Sequence, residues 1–264
     1  MGLGGRTIRG MLEPIVESTR RRIADIRGRT DEFRARAADL GPVRSLARAL
    51  VADRLTVIAE FKRRSPSRGA LAAADLDAAT RAKEYEAGGA AAISVLTEPD
   101  HFDGSAEDLL AVRQATAIPV LRKDFTLDES QIWEARALGA DAILLIVALL
   151  SDDQLAHLHG VAGAAGLEAL VEVHTDQEVQ RALAVSPGLV GVNNRDLHTF
   201  EVSLETAERI AARLTGVPVT VAESGIFTAA DAVRMRRAGY HAVLVGESLV
   251  TSGDPAAAIA ELRV

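Results

Sequence analysis

Five apolar runs in this chain end in polar groups, and in four of them those groups are able to move protons. Val57, Ile58 and Ala59 lead into Glu60 and Lys62; Val120 and Leu121 lead to Lys123 and Asp124; Ala169, Leu170 and Val171 lead to Glu172. Asn193 and Arg195 follow Leu189 to Val192, and Glu223 and Ser224 follow Val219 to Ala222. Residues two apart on a strand point to the same side, so Glu60 and Lys62 project together from a strand's C-terminal end. Buried, such a pair is costly unless it has a task. By itself it reads either as an ion pair closing a strand or as acid–base machinery, since working sites gather perturbed titratable groups. Ser65, Pro66, Ser67 and Gly69 follow with turn chemistry.

The elements that must position these groups recur along the chain. Strand candidates at Val57 to Glu60, Ala92 to Leu96, Val120 to Lys123, Ala142 to Val147, Ala169 to Val173, Leu189 to Asn193, Val219 to Glu223 and Ala242 to Val245 each precede a helix-like stretch. The phrases Ala87-Gly88-Gly89-Ala90, Leu138-Gly139-Ala140 and Ala238-Gly239-Tyr240 place glycine where a helix stops before the next strand. Eight βα units point to an α/β fold closed as a (β/α)₈ TIM barrel rather than to an open nucleotide-binding sheet, and neither GxGxxG nor Walker A occurs. Functional groups of such a barrel lie at the C-terminal strand ends, which is where the polar residues above fall.

Ahead of the barrel, residues 1–50 form an expected helical extension, with 51–264 as the barrel in a single domain overall. The extension holds eleven Arg against six acidic residues, and Ile8, Met11, Leu12, Ile15, Val16, Ile23 and Ile26 recur at near-helical spacing, so one face can pack on a larger body. A solvated amphipathic helix is favoured there over a nucleic-acid or membrane arm. The net charge of −7 and 3% aromatic content argue against nucleic-acid binding. The absence of cysteine excludes disulfides and thiolate chemistry and fits a reducing compartment. Ala142 to Leu150 is too short to span a bilayer, and Met1 to Gly10 lacks the apolar core of a signal peptide, so a cytoplasmic protein without membrane association is expected.

The stretches VIAEFKRRSPSRG, SVLTEPDHFDGS, VLRKDF, ALVEVHT, GVNNRDL, VAESGI and VLVGESLV, in this order over about residues 55 to 254, resemble the indole-3-glycerol phosphate synthase family of tryptophan biosynthesis. The resemblance implies a cofactor-free carboxy-lyase on a (β/α)₈ barrel. Its substrate would be 1-(2-carboxyphenylamino)-1-deoxyribulose 5-phosphate, cyclised with loss of carbon dioxide and water. It implies Lys123 as general acid, Glu172 as base, Asn193 orienting Glu172 or a substrate hydroxyl, Lys62 at the substrate carboxylate or in dehydration, and Glu60 orienting lysine and substrate. Glu223 and Ser224 complete the expected catalytic set.

Ser224-Gly225 and Gly246-Glu247 are each expected to end a strand and open a helix, offering backbone N–H groups and a helix dipole to a phosphate, with Arg195 joining them. Glu247 departs from relatives with serine there, which puts its side chain's role in question rather than the backbone contact. Phe102, Phe125, Leu144 and Leu197 match positions lining the anthranilate pocket. Ser65 opens a first loop that folds over substrate in the family, where Arg68 replaces the more usual lysine.

Other readings exist for several residues. Lys123 could be a surface lysine paired with Asp124, and Arg195 could pair with Asp196 or Glu223. His174, on Glu172's side if the strand continues, reads as a hydrogen-bonded loop histidine. His157 and His159 point to different helix faces and no HExxH occurs, so no metal site is expected. At the level of the whole protein the alternatives are another phosphate-binding barrel, such as phosphoribosylanthranilate isomerase, which uses a cysteine this chain lacks, or a non-catalytic scaffold. The expected partner is a phosphorylated small molecule, and the expected state is a monomer or weak homo-oligomer.

Overall fold

The computed structural model describes residues 12–66, 69–71, 76–197 and 199–264. Ile8, Met11, Ser67 and Arg68, and with the last two much of the expected lid, lie outside them. Eight strands, β1 (Thr56–Phe61), β2 (Ala92–Leu96), β3 (Val120–Lys123), β4 (Ala142–Ile146), β5 (Glu168–Val173), β6 (Leu189–Asn193), β7 (Val219–Glu223) and β8 (Ala242–Val245), close a parallel barrel in sequence order. Closure is made by β8 on β1, with Thr56 opposite Ala242 and Ala59 opposite Val245. Around it lie α4 (Ala78–Ala87), α5 (Ala106–Ala115), α6 (Glu129–Ala137), α7 (Asp152–Ala164), α8 (Asp176–Leu183), α9 (Glu205–Ala211), α10 (Ala229–Ala238) and α11 (Pro255–Leu262), preceded by α1 (Leu12–Arg27), α2 (Thr30–Ala38) and α3 (Leu46–Leu50).

The alternation of side chains along each strand sorts the core in two. Val57, Ile93, Val120, Ile143, Val171, Val190 and Val243 face the helices in one cluster, while Ile58, Ala92, Leu121, Leu144, Leu170, Leu189, Val221 and Leu244 fill the barrel. The same parity decides the site. Continuing by twos from the interior residues gives Glu60, Lys123, Glu172, Asn193 and Glu223, so the strands deliver these groups inward at the ring's C-terminal end. The glycine stops hold as expected: Gly89, Gly139 and Gly239 take φ of 86°, 86° and 98°, a region costly for residues with a Cβ. Four expected bounds shift by one residue: β1 begins at Thr56 and β5 at Glu168, one earlier than expected. β1 runs on through Phe61, and β4 ends at Ile146 because Val147–Leu149 turns into a short 3₁₀ segment.

The segment ahead of the barrel touches both ends of it. Leu46 and Leu50 of α3 pack into the interior cluster, and the Ser45 hydroxyl and Ala47 N–H donate to Glu168, each at 2.7 Å, where β5 begins. At the opposite end, Leu12 and Ile15 of α1 join the same interior cluster beside Phe125 and Leu144. Asp124 fixes this placement. It points away from its neighbour Lys123 and receives both Arg22 guanidinium nitrogens at 2.8 and 3.0 Å, the Thr97 hydroxyl at 2.6 Å and Arg122 at 3.3 Å. Ser18 adds a 3.1 Å bond to the fully buried Glu98. Among the described residues, no helix is long and apolar enough to cross a membrane.

Burial opposes the Asp124 charge, but Arg22, Arg122 and Thr97 outweigh it and hold the carboxyl below its ordinary range. A depressed folded-state pKa stabilises the protein above the unfolded value of about 3.9 and is lost as pH falls through the folded value. Removing one partner of a buried pair leaves an uncompensated charge, and Arg22→Ala, at a partly exposed arginine, is expected to cost about 1–3 kcal/mol. Urea unfolding at pH 7 and pH 3 checks this: the variant's deficit should shrink at the lower pH. A deficit that is absent at pH 7 contradicts the anchoring role.

Candidate active site

The barrel mouth is a cavity lined by all the residues expected to work there: Glu60, Lys62, Ser65, Phe102, Lys123, Phe125, Leu144, Glu172, Asn193, Arg195, Leu197, Glu223, Ser224, Gly225, Gly246 and Glu247. At its centre lies the Lys123 ammonium. Nζ is 3.0 Å from Glu172 Oε2 on β5 and 3.2 Å from Glu223 Oε2 on β7, and both carboxylates are 1% exposed. Asn193 donates its amide to Glu172 Oε1 at 3.1 Å and accepts the Arg195 backbone N–H at 3.0 Å, which fixes the orientation of its amide. Lys62, just beyond β1, donates to Glu60 Oε1 at 2.6 Å.

Two glycines make room for this cluster. A Cβ on Gly191 would stand 2.1 Å from Glu223 Oε1, and one on Gly246 would stand 2.4 Å from Glu60 Oε1 and 3.0 Å from Lys62 Nζ. Gly191 lies on β6 beside the strand of Glu223, and Gly246 lies one residue past β8 beside the strand of Glu60, so a side chain at either would displace a charged group. Glu223 Oε1 is buried beside Gly191 without a hydrogen-bond partner among the described residues, so it keeps spare accepting capacity.

The charges set one another's protonation. Burial works against the Lys123 ammonium, yet Glu172, Glu223 and Glu60 outweigh it and hold its pKa above the ordinary lysine value. Burial likewise opposes the Glu172 carboxylate, and Lys123, His174 and Asn193 overcome it, leaving its pKa depressed. Glu223 goes the other way. Burial and the charges of Glu172 and Glu60 exceed the pull of Lys123 and push it up to about 7. Two carboxylates sharing one ammonium thus separate into one ionised group and one poised near neutrality.

Several sequence readings are refined by this arrangement. Lys123 pairs with Glu172 and Glu223 rather than with Asp124, because adjacent strand residues face opposite sides. The Arg195 guanidinium donates to the Phe200 carbonyl at 3.2 Å, inside a loop bridged by Arg195 and Val202. One expectation is corrected: Ser224-Gly225 does not open a helix. Both residues take positive φ, 65° and 81°, which cannot continue as right-handed helix, and α10 begins at Ala229 with Thr228 as its cap. Gly246 does precede a helical segment, but Glu247–Val250 is a single turn with little macrodipole. Leu12, Ile15, Phe200 and Phe227 also line the cavity, beyond the residues expected there. The amphipathic spacing of α1 marked Leu12 and Ile15 as packing residues without saying what they would meet; Phe200 and Phe227 carry no local signal.

A closed parallel barrel with a lysine between two buried glutamates at its C-terminal mouth defines a barrel enzyme of acid–base type. The chain's matches agree on which one. Residues 12–262 match the family model described as indole-3-glycerol phosphate synthase. Proteins of that name from Nocardioides sp. and Streptomyces coelicolor are 49% and 48% identical to it, covering 94% and 96% of this chain and 96% and 94% of theirs. The chain belongs to the indole-3-glycerol phosphate synthase family. Among solved structures, thiamine phosphate pyrophosphorylase from Pyrococcus furiosus aligns with a TM-score of 0.60 over 83% of this chain and 96% of its own, at 18% identity, a likeness of fold.

The separated carboxylates give a spectroscopic expectation. Infrared difference spectra across pH 5–9 should show a buried carboxyl titrating near pH 7, and Glu223→Gln should remove that band. A band that survives the substitution assigns the raised pKa to another carboxyl.

Proposed function

We propose that this chain is an indole-3-glycerol phosphate synthase that converts 1-(2-carboxyphenylamino)-1-deoxyribulose 5-phosphate to indole-3-glycerol phosphate, carbon dioxide and water. The observation that carries this reading is the contact of Lys123 with both Glu172 and Glu223 at the mouth of a barrel of this family. Ring closure requires an aromatic carbon to attack the C2′ carbonyl while a donor protonates its oxygen. Lys123 takes that role: a developing alkoxide is basic enough to accept a proton even from an ammonium held above its ordinary pKa.

The acid and base are coupled. Once Lys123 gives up its proton, the positive charge that depressed Glu172 is gone, and Glu172 becomes more basic. That rise comes when a base is needed, because dehydration must remove a ring proton after carbon dioxide has left. Asn193 holds Glu172 Oε1 while Oε2 remains with Lys123. Lys62 receives the substrate carboxylate or assists departure of the hydroxyl, steered by Glu60 at 2.6 Å. Glu223, poised near neutrality, can supply or accept a proton at the same atoms.

The phosphate site is assigned to Arg195, the Ser224-Gly225 backbone and the Gly246-Glu247 turn. Their common place on the cavity wall supports this, with attraction resting on Arg195 and local N–H groups rather than on a long helix dipole. Phe102 and Phe125, whose rings are 6.1 Å apart, stand with Leu144 and Leu197 on the same wall and suit the anthranilate ring, with Ser65 at the rim. A monomer or weak homo-oligomer is the working unit in this reading. Residues 1–50 are read as an extension of one barrel domain, and a cytoplasmic setting accords with a sequence free of cysteine.

Adding the carboxyphenylamino-deoxyribulose phosphate to the purified protein and following indole fluorescence tests the reading. Product should form, and Lys123→Ala should slow it by roughly 10²–10⁴ while circular dichroism stays unchanged. Gly191→Ala, which displaces Glu223 without removing it, should lower kcat at least about tenfold. No product at micromolar enzyme contradicts the function; an active Lys123→Ala variant removes Lys123 from the acid role.

A further inference from the structure

The reaction proposed above draws a proton from solvent at each turnover. One proton goes to the carbonyl oxygen and a second to the departing hydroxyl, while only one is returned from the ring carbon. The electron pair of the broken carbon–carboxylate bond stays on the ring, so carbon dioxide carries no proton away. The groups that must be recharged are nearly sealed: side-chain exposure is 13% at Lys123 and 2% at Glu172 and Glu223. A substrate filling the mouth covers them further.

A second route leads to Glu172 from the side. The parity that turns Glu172 inward also brings His174 to its flank, just past the end of β5. His174 Nε2 is 3.2 Å from Glu172 Oε1, off line for a hydrogen bond, and Nδ1 is 3.0 Å from Glu178 Oε2 on the first turn of α8. Glu178 also accepts the His174 backbone N–H at 2.8 Å, and its other oxygen meets the Thr175 hydroxyl at 3.3 Å, so the imidazole is held from two points. Side-chain exposure rises outward from 2% at Glu172 to 7% at His174 and 15% at Glu178.

The charged groups facing this imidazole are Glu172 from β5 and Glu178 from α8, with Lys123 of β3 beyond Glu172. Burial disfavours an imidazolium here, but the two carboxylates outweigh it and push the pKa up to about 9. At neutral pH the ring therefore stands charged between a buried acceptor and a partly exposed one.

We propose that His174 and Glu178 form a proton relay from solvent to Glu172 and Lys123. In it, a ring rotation brings the imidazolium Nε2–H into line and delivers that proton to Glu172 Oε1, leaving a neutral ring that keeps its Nδ1–H; the ring then turns so that the bared Nε2 takes a proton that Glu178 has drawn from water, and turns back. Glu172 hands that proton to the neutral Lys123 amine. The relay returns to its starting charges with one proton gained at lysine and no bond changed except N–H and O–H. His174 touches no substrate and acts through Glu172 as a positioning and relay group. The inference rests on the proposed reaction.

The test compares the parent protein with His174→Gln and Glu178→Gln in the fluorescence assay, in H₂O and D₂O and across pH 6–10. Glu178→Gln can still accept the His174 backbone N–H, and it keeps the test open should His174→Gln fail to fold. His174→Gln should lower kcat about tenfold or more with KM within about twofold and raise the solvent isotope effect. Glu178→Gln should move both in the same direction by less. The parent's kcat should fall as pH rises through about 9, where His174 loses its proton, and His174→Gln should lack that limb. Unchanged kcat in both folded variants overturns the relay, as does a fall with no change in isotope effect or pH profile. A parent that makes no product overturns the underlying reaction itself, which separates the two failures.

Discussion

One ammonium held between two buried carboxylates is the constraint around which this molecule is arranged. Glu172 and Glu223 are both sealed from water, and Lys123 reaches each within 3.2 Å. Two negative charges this close repel, and one positive charge does not fully satisfy both, so Glu223 is pushed toward neutrality while Glu172 stays ionised. Replacing such a cluster with apolar side chains of similar volume is often neutral or stabilising, so its presence argues for chemistry over stability. The same imbalance makes acid and base strength depend on each other, which suits a sequence of proton gains and losses on one small substrate.

The scaffold answers that constraint mainly through strand parity and space. Every second residue of β3, β5 and β7 turns inward, so apolar layers of Leu121, Leu170 and Val221 are followed by Lys123, Glu172 and Glu223 one step nearer the mouth. Glycine at 191 leaves the room Glu223 occupies. Asp124 faces the opposite way from Lys123 and binds Arg22, tying the strand that carries the central lysine to a helix whose Leu12 and Ile15 line the cavity. The anchor to α1 thus sits one peptide bond from Lys123.

Much of this was legible in the sequence because it rests on period-two patterning and on ordered motifs. The eight strands fall within a residue of the expected bounds, and all sixteen expected site residues line one cavity. What was not legible depends on backbone conformation or on partners far away in sequence. Ser224-Gly225 has the composition of a helix-opening turn, but two successive positive φ angles delay the helix to Ala229. The amphipathic face of α1 announced packing without naming the barrel mouth as its counterpart. His174 read correctly as a hydrogen-bonded histidine, through Glu178, yet its second approach, to Glu172, needed the course of the chain beyond β5.

The claim that Lys123 is a charged acid shared by two carboxylates is tested most directly by ¹⁵N NMR of its side-chain nitrogen, assigned by its loss in Lys123→Met and titrated in the free protein. The expected result is an ammonium signal that persists above about pH 10.4, the ordinary lysine pKa. Deprotonation below about pH 9 would contradict it, because burial alone would then govern the lysine and the two glutamates would not be sharing its charge.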